Sequence, residues 1–198
     1  MPTAAQEPTS VRELDTPAAR RLAGLAEVLG ELHMVLRCCE RLTAELAAAE
    51  PDELAVEALW TTALLSYARC FAGELLTEED VTGTGLRGEV LEWHHILRQL
   101  RDHYAHPAHN PRERCSVGIT QDEGGHAGGV AITAMSQPAL DDATVRQTGA
   151  LAYALSGLVD ERMTRQQEAV RAAAAGLRVR ELERLPRIDV AGLAGGAA

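Results

Sequence analysis

The sequence predicts an all-α fold, a four-helix bundle with a small β-hairpin inserted before its last long helix. Apolar residues make up 46% of the 198 residues but aromatic residues only 3%, so alanine and leucine must fill the core. This composition favours packed helices over a β-sandwich. Long segments place apolar residues at three- and four-residue steps, as one face of a helix requires. A chain of this length can bury a core of its own.

Two helices are expected in the first half of the chain. Pro17 suits the first turn of a helix, and leucines and valines follow it at helical spacing to about residue 49. A second helix restarts at Pro51, and its large apolar residues, among them Trp60 and Phe71, widen its apolar face. The second helix should therefore be largely buried.

A loop is expected between Thr77 and Gly88, where the sequence TEEDVTGTGLRG is acidic and then rich in glycine. Its glycines at positions 83, 85 and 88 match the spacing G-x-G-x-x-G of a dinucleotide-binding turn. That turn binds phosphates when a buried strand precedes it within a parallel β-α-β unit. An acidic loop precedes it here, so a nucleotide site is not expected.

The second half should hold a third helix over about residues 89–106, a hairpin over about 115–135 and a long final helix over about 139–174. Val117 and Ile119 alternate with small or polar residues, as do Val130 and Ile132, which is typical of paired strands. A short extension reaches about residue 185 and continues or breaks at Gly176. Residues 1–16 and 186–198 hold few large apolar groups and are predicted to be mobile tails of a domain over 17–185.

The net charge of the chain and its cysteines limit which ligands and which cellular compartment we expect. The net charge of −10 argues against a broad cationic surface for nucleic acid, although a local phosphate site is compatible with it. The four cysteines form no C-x-x-C pair and are expected to be reduced thiols. Because the sequence shows neither a signal-peptide pattern nor a long apolar run, we expect a cytoplasmic protein without a membrane partner.

The third helix is rich in histidine, since five of the seven histidines fall between residues 94 and 109. Because an α-helix turns by about 100° per residue, four apolar residues lie in one narrow stripe on its surface. This stripe is the predicted buried face: Trp93, Leu97, Leu100 and Tyr104. His94, Arg98 and Arg101 lie along one flank of that stripe. Pro107 disfavours the α conformation at His106, so the helix should end there, with Arg101 close to His106.

The segment Arg101-Asp102-x-x-x-His106 resembles the R-polar-x-x-x-H motif of HEPN domains, an all-helical family that includes many RNase toxins and defence nucleases. The order of elements is also similar: a long first helix, an apolar second helix, the motif at the end of the third helix and a long final helix. The resemblance covers about residues 18–175, and its specific part is the six-residue motif.

The resemblance implies a metal-independent endoribonuclease that cuts RNA with the ribose 2′-hydroxyl as nucleophile. Arg101 and His106 are then the catalytic residues, and Asp102 orients one of them. Arginine is a permanent cation that can stabilise charge on phosphoryl oxygens, and histidine exchanges protons near neutral pH. Three neighbours are expected to bind the substrate: Arg98, His103 and His94. No cofactor and no metal are expected.

The resemblance also implies partners and a cellular role. HEPN nucleases build their site between two protomers, so we expect a homodimer around two motifs, with RNA as substrate. The implied role is that of a toxin or defence effector, restrained by an antitoxin or another regulatory protein. HEPN toxins silenced by a nucleotidyltransferase carry a tyrosine two residues after the histidine. Ala108 occupies that position here and does not support silencing by that route.

Two alternatives stay open. The family includes members that have lost activity, so the chain is alternatively a catalytically inactive HEPN-like binding module. His103, His106 and His109 have the spacing H-x-x-H-x-x-H, but Pro107 redirects the chain and no cysteine or glutamate completes an obvious zinc site. Residues 98–114 contain four arginines and two acidic residues, so this segment is locally basic although the net charge of the chain is negative.

Overall fold

The computed structural model describes residues 11–105, 113–136 and 139–188. This part of the chain is mostly helical and carries two small two-stranded sheets, which confirms the predicted helical class with a hairpin. The elements in chain order are β1 Val11–Arg12, α1 Pro17–Leu46, α2 Glu53–Arg69, α3 Glu78–Thr82, α4 Val90–Ala105, β2 Glu113–Gln121, β3 Ala127–Ser136, α5 Asp142–Ala175, α6 Val179–Arg184 and β4 Arg187–Ile188.

The chain divides into two compact units, and the larger one covers residues 28–159. Its core is built from leucine, valine and alanine with few aromatic rings, as the composition predicts. Each of its four long helical segments contributes side chains without exposed surface: Val35, Leu42, Tyr67, Leu97 and Leu155. Burial of each such side chain stabilises the fold by about 1.5–3 kcal/mol.

Close contacts join the helices of this larger unit. Glu31 on α1 forms an ion pair with Arg69 on α2 at 3.4 Å. The Sγ atom of Cys70, directly after α2, lies 3.9 Å from the carbonyl oxygen of Val28 on α1. On α5, Gly149 lets the backbone approach α1, because a Cβ atom placed there would lie 3.5 Å from the Cβ atom of Cys39.

Local capping explains where α2 begins. The carboxylate of Asp52 accepts hydrogen bonds from the backbone amides of Leu54 at 3.0 Å and Ala55 at 3.2 Å. These amides have no partner inside the helix, so the Asp52 side chain satisfies them. The helix therefore begins at Glu53, just beyond Pro51, where a second helix was predicted to restart.

The segment 77–88 differs from the prediction, which made all of it a loop. Residues Glu78–Thr82 form the short helix α3, and the Asp80 carboxylate accepts a hydrogen bond from the backbone amide of Thr77 at 2.9 Å. Acidic residues in the first turn suit the helix dipole, which is why an acidic stretch becomes helical here. Gly85 and Gly88 follow at φ values of 70° and 94°, and the element directly before them is the helix α3.

The predicted hairpin is confirmed and runs from Glu113 to Ser136. Its strands pair antiparallel, with Val117 opposite Ile132 and Ile119 opposite Val130. The Asp122 carboxylate closes the turn by accepting from the backbone amides of Gly124 and His126. From residue 115 to residue 134 every side chain is exposed except that of Ala131, which is half-buried.

The smaller unit holds residues 11–27 and 160–188 of the described chain. Residues 11–12 and 187–188 were predicted as parts of mobile tails, but the structure pairs them as β1 and β4, with Val11 opposite Ile188. Arg12 holds this pair in place by donating from Nη1 to the carbonyl oxygen of Leu185 at 2.8 Å. The rest of both predicted tails lies outside the described residues. Among the helices that the structure describes, none has the length and hydropathy needed to span a bilayer.

The close approach of α5 to α1 predicts opposite effects for two glycines of α5. Gly149→Leu should lower the free energy of unfolding by about 1–3 kcal/mol, because the added atoms meet Cys39. Gly157→Leu should raise it by up to about 1 kcal/mol, because Gly157 has open space around it and leucine favours the helix. Urea unfolding of both variants tests this contrast, and equal effects would contradict the described packing.

Candidate functional site

The predicted site residues that the structure describes lie on α4, in the larger unit. Arg101 and Asp102 lie near the C-terminal end of this helix, which ends at Ala105. His106, the second predicted catalytic residue, lies outside the described residues. The same holds for His109 of the alternative zinc set and for Ala108. The structure therefore places the arginine half of the motif.

Arg101 is only partly accessible. Its side chain is 35% exposed, and its Nε atom is buried 3.0 Å from the Oδ1 atom of Asp102. The two groups form an ion pair but lack the geometry of a hydrogen bond, and Nε has no hydrogen-bond partner among the residues described. Asp102 is 68% exposed. A cation with an exposed carboxylate beside it therefore lies near the C-terminal end of α4, as the motif predicts.

The two other predicted substrate-binding residues near the motif differ in accessibility. Arg98 is exposed, while His103 is half-buried and its ring meets that of Tyr104 edge to face, with centroids 6.3 Å apart. Burial raises the pKa of Tyr104, and the nearby charge of Glu57 on α2 raises it further. The end of α4 thus combines exposed positive charge with a half-buried pair of rings.

His94 lies in the core instead of on an accessible flank. Its side chain has no exposed surface, and its Nδ1 atom forms a 2.7 Å hydrogen bond with the hydroxyl of Tyr67 on α2. The ring also packs edge to face against Phe71, with centroids 4.5 Å apart. Nε2 has no hydrogen-bond partner in the described part of the chain. A large substrate such as RNA has no contact surface on this side chain in the structure.

The buried face of α4 is therefore shifted from the predicted stripe towards His94. Leu97 is fully buried as predicted, but its companion in the core is His94, whereas Trp93, Leu100 and Tyr104 are only half-buried. The reason is the hydroxyl of Tyr67, which offers the imidazole a partner in the interior. A polar side chain with such a partner loses little by burial.

Burial lowers the pKa of His94 to about 4, and the positive charges of Arg98 and His95 lower it further against the opposing charge of Glu78. The imidazole is therefore neutral at pH 7. Burial also raises the pKa of Tyr67, so the phenol keeps its proton and the hydrogen bond joins two neutral groups. Which of the two donates depends on the imidazole tautomer.

A second cluster, absent from the sequence prediction, joins α3 to α4. Nε2 of His95 lies 3.1 Å from Oε1 of Glu78, and both side chains are about half exposed. One nitrogen or oxygen atom from each of Glu78, His94 and His95 lies within 4.8 Å of the others. The adjacent pair His94-His95 was the available signal in the sequence. Glu78 was missed because α3 was expected to be a loop.

The thiols do not form a nucleophilic site. Cys38, Cys39 and Cys70 are buried and unbridged, which agrees with the prediction of reduced thiols. Burial raises the pKa of Cys39 and that of Cys70 to about 12, so both remain protonated at neutral pH. Cys115 on β2 is exposed.

Comparison of the chain with protein-family models, with curated proteins and with solved structures gives no match.

The lowered pKa of His94 predicts acid lability. Because the folded state holds the neutral imidazole, this stabilisation is present above pH 6.5 and is lost as the pH falls towards 4. The loss should reach about 3 kcal/mol, and it should be absent in His94→Gln. Urea unfolding of metal-free protein between pH 7 and 4.5 measures it, with the exposed His33→Gln as control. An unchanged pH slope in His94→Gln would contradict the assignment.

Proposed function

We propose that this chain is a metal-independent endoribonuclease of the HEPN type, in which Arg101 and His106 cut RNA at a site shared by two copies. The observation that supports this proposal best is the position of Arg101 near the C-terminal end of α4, paired at 3.0 Å with Asp102. His106 follows the helix directly in the sequence, so the motif falls at a helix end. The four long helices α1, α2, α4 and α5 fit the element order of the family.

The chemistry proposed for the site needs no cofactor. The 2′-hydroxyl of a ribose attacks the adjacent phosphorus, a bond from O2′ to phosphorus forms, and the bond from phosphorus to O5′ breaks. His106 exchanges the proton that leaves the 2′-hydroxyl and the proton that the O5′ leaving group receives. Arg101 stabilises the negative charge that gathers on the phosphoryl oxygens. The products are a 2′,3′-cyclic phosphate and a 5′-hydroxyl.

Asp102 has two roles in this proposal. Its carboxylate holds one edge of the Arg101 guanidinium through the 3.0 Å ion pair, which limits the orientations of the cation. Its 68% exposure also leaves it accessible to the motif of a second copy. A homodimer would bring two arginines and two histidines around one strand of RNA, and Arg98, which is exposed on the same helix, would bind a neighbouring phosphate.

The net charge of −10 shapes how such an enzyme would bind. Affinity for long RNA through bulk electrostatics needs many cationic contacts to phosphates, which this chain lacks. Recognition would instead rely on the short basic segment that includes Arg98 and Arg101. The corresponding biological role is a toxin or defence effector whose activity another protein restrains.

The nuclease proposal predicts specific losses of activity. Arg101→Ala and His106→Ala should each reduce cleavage of a single-stranded RNA in excess EDTA by about 10²–10⁴-fold. The exposed residues His33 and Arg37 of α1 provide matched controls, and His33→Ala and Arg37→Ala should cut like the wild type. Gel analysis should show 2′,3′-cyclic phosphate ends, and 2′-deoxy substitution at the cut position should block cleavage. Wild-type protein that leaves RNA intact would refute the proposal.

A second candidate function is a catalytically inactive HEPN-like interaction module, and the hairpin favours it. Four large apolar side chains on one face of β2 and β3 remain 62–72% exposed: Val117, Ile119, Val130 and Ile132. They form two directly opposed cross-strand pairs, so the face is continuous. Contiguous exposed apolar surface of this kind is typical of an interaction site.

The interaction module predicts that the hairpin face holds copies together. The double variant Val117→Thr and Ile132→Thr keeps strand propensity but makes the face polar, so it should shift the protein towards monomer. Sedimentation velocity between 1 and about 100 µM measures this, with Ser116→Ala and Thr133→Ala on the opposite face as control. Unchanged association in the double variant would show that the hairpin is not the contact between copies.

A further inference from the structure

We propose that Glu78, His94 and His95 form a binding site for a divalent transition-metal ion, with Zn²⁺ as the best match to their chemistry. The site lies where α3 meets α4. Two imidazoles and one carboxylate are a ligand set of borderline softness, which suits Zn²⁺ better than the all-oxygen sites preferred by Mg²⁺ and Ca²⁺.

The geometry is close to that of a three-ligand site. One ligand atom from each side chain lies within 4.8 Å of the others, and Nε2 of His95 lies 3.1 Å from Oε1 of Glu78. A tetrahedral zinc ion separates neighbouring ligand atoms by about 3.3 Å. Rotation of the half-exposed Glu78 and His95 side chains would bring the ligand atoms to this separation. A water molecule would occupy the fourth coordination position of the ion.

The state of His94 is an independent observation that points to a ligand. Its side chain has no exposed surface, and its Nε2 atom has no hydrogen-bond partner among the described residues. A buried polar atom without a partner destabilises the fold, and a bound ion would satisfy it.

Tyr67 supplies the contact that ligating histidines usually make on their other ring nitrogen. Its hydroxyl lies 2.7 Å from Nδ1 of His94, so with Nε2 on the ion the Nδ1–H group donates to the Tyr67 oxygen. Such a contact fixes both the tautomer and the orientation of the ring. The Tyr67 side chain is itself fully buried, which holds the hydroxyl in place.

The ion would tie α3 to α4, the helix that carries Arg101 two turns further on. Seven residues of helix separate His94 from Arg101, a rise of about 10 Å, so the ion does not touch the proposed RNA site. Its role is to stabilise this part of the fold, which is compatible with cleavage that needs no metal. The metal site does not depend on the nuclease proposal, because binding can be measured without RNA.

The test uses the full-length chain without a histidine tag, stripped with EDTA and dialysed. Calorimetric titration with zinc chloride should show one ion per chain, and the ion should raise the Tm. Glu78→Gln and His95→Ala remove accessible ligands without disturbing the core, and each should weaken binding at least tenfold and reduce the Tm gain. The neighbouring acid in Glu79→Gln and the exposed histidine in His33→Ala are matched controls that should bind like the wild type.

A further variant distinguishes this site from the alternative zinc set of His103, His106 and His109. A chain with His103→Ala and His109→Ala should keep one zinc ion per chain. Absence of saturable binding to the wild type would overturn the proposal. Binding that survives both Glu78→Gln and His95→Ala, or that disappears in the His103 and His109 variant, would also overturn it. Cobalt(II) substitution adds a readout, since a four-coordinate ion gives intense visible absorption that Glu78→Gln should weaken.

Discussion

The hydrogen bond between Tyr67 and His94 is the interaction on which the described site depends. It joins α2 to α4 in the interior of the larger unit at 2.7 Å. Because it fixes which side of α4 faces the core, it also fixes which side carries Arg98 and Asp102 outward. The same contact fixes the orientation of the imidazole that we propose as a metal ligand. One buried pair of polar groups thus sets the rotation of the helix that carries both the motif and the proposed ion site.

The sequence predicted the long elements well because their signals are local. Helical spacing, Pro17 and Pro51 determine where α1 and α2 lie, and alternation of valine and isoleucine identifies the hairpin. The short helix α3 was missed because five residues are too few for periodicity. The spacing Thr77-x-x-Asp80 of its capping contact was the one local signal available in the sequence. The pairing of β1 with β4 was missed for a similar reason, since two-residue strands far apart in the chain carry no local pattern.

The candidate site likewise has one part that the sequence predicts and another that depends on contacts between helices. The relation of Arg101 to Asp102 follows from adjacency on one helix, so the sequence was sufficient to find it. The placement of His94 depends on Tyr67, a residue on another helix, and the cluster with Glu78 depends on a loop that brings α3 back to α4. Periodicity assigns a histidine to a flank by its angle alone. It contains no information about the Tyr67 hydroxyl, whose hydrogen bond lowers the free-energy cost of burying that histidine.

The distribution of thiols makes the chain well suited to site-selective chemistry. Thiolate is the reactive form of cysteine, and burial raises the pKa of Cys38, Cys39 and Cys70, which keeps these three in the unreactive form. Cys115 is exposed on β2, two residues before Val117 and therefore on the same apolar face of the hairpin. A maleimide dye or a nitroxide added to the unmodified chain would attach at this one position. The natural protein thus carries its own attachment point for a probe of whatever covers that face.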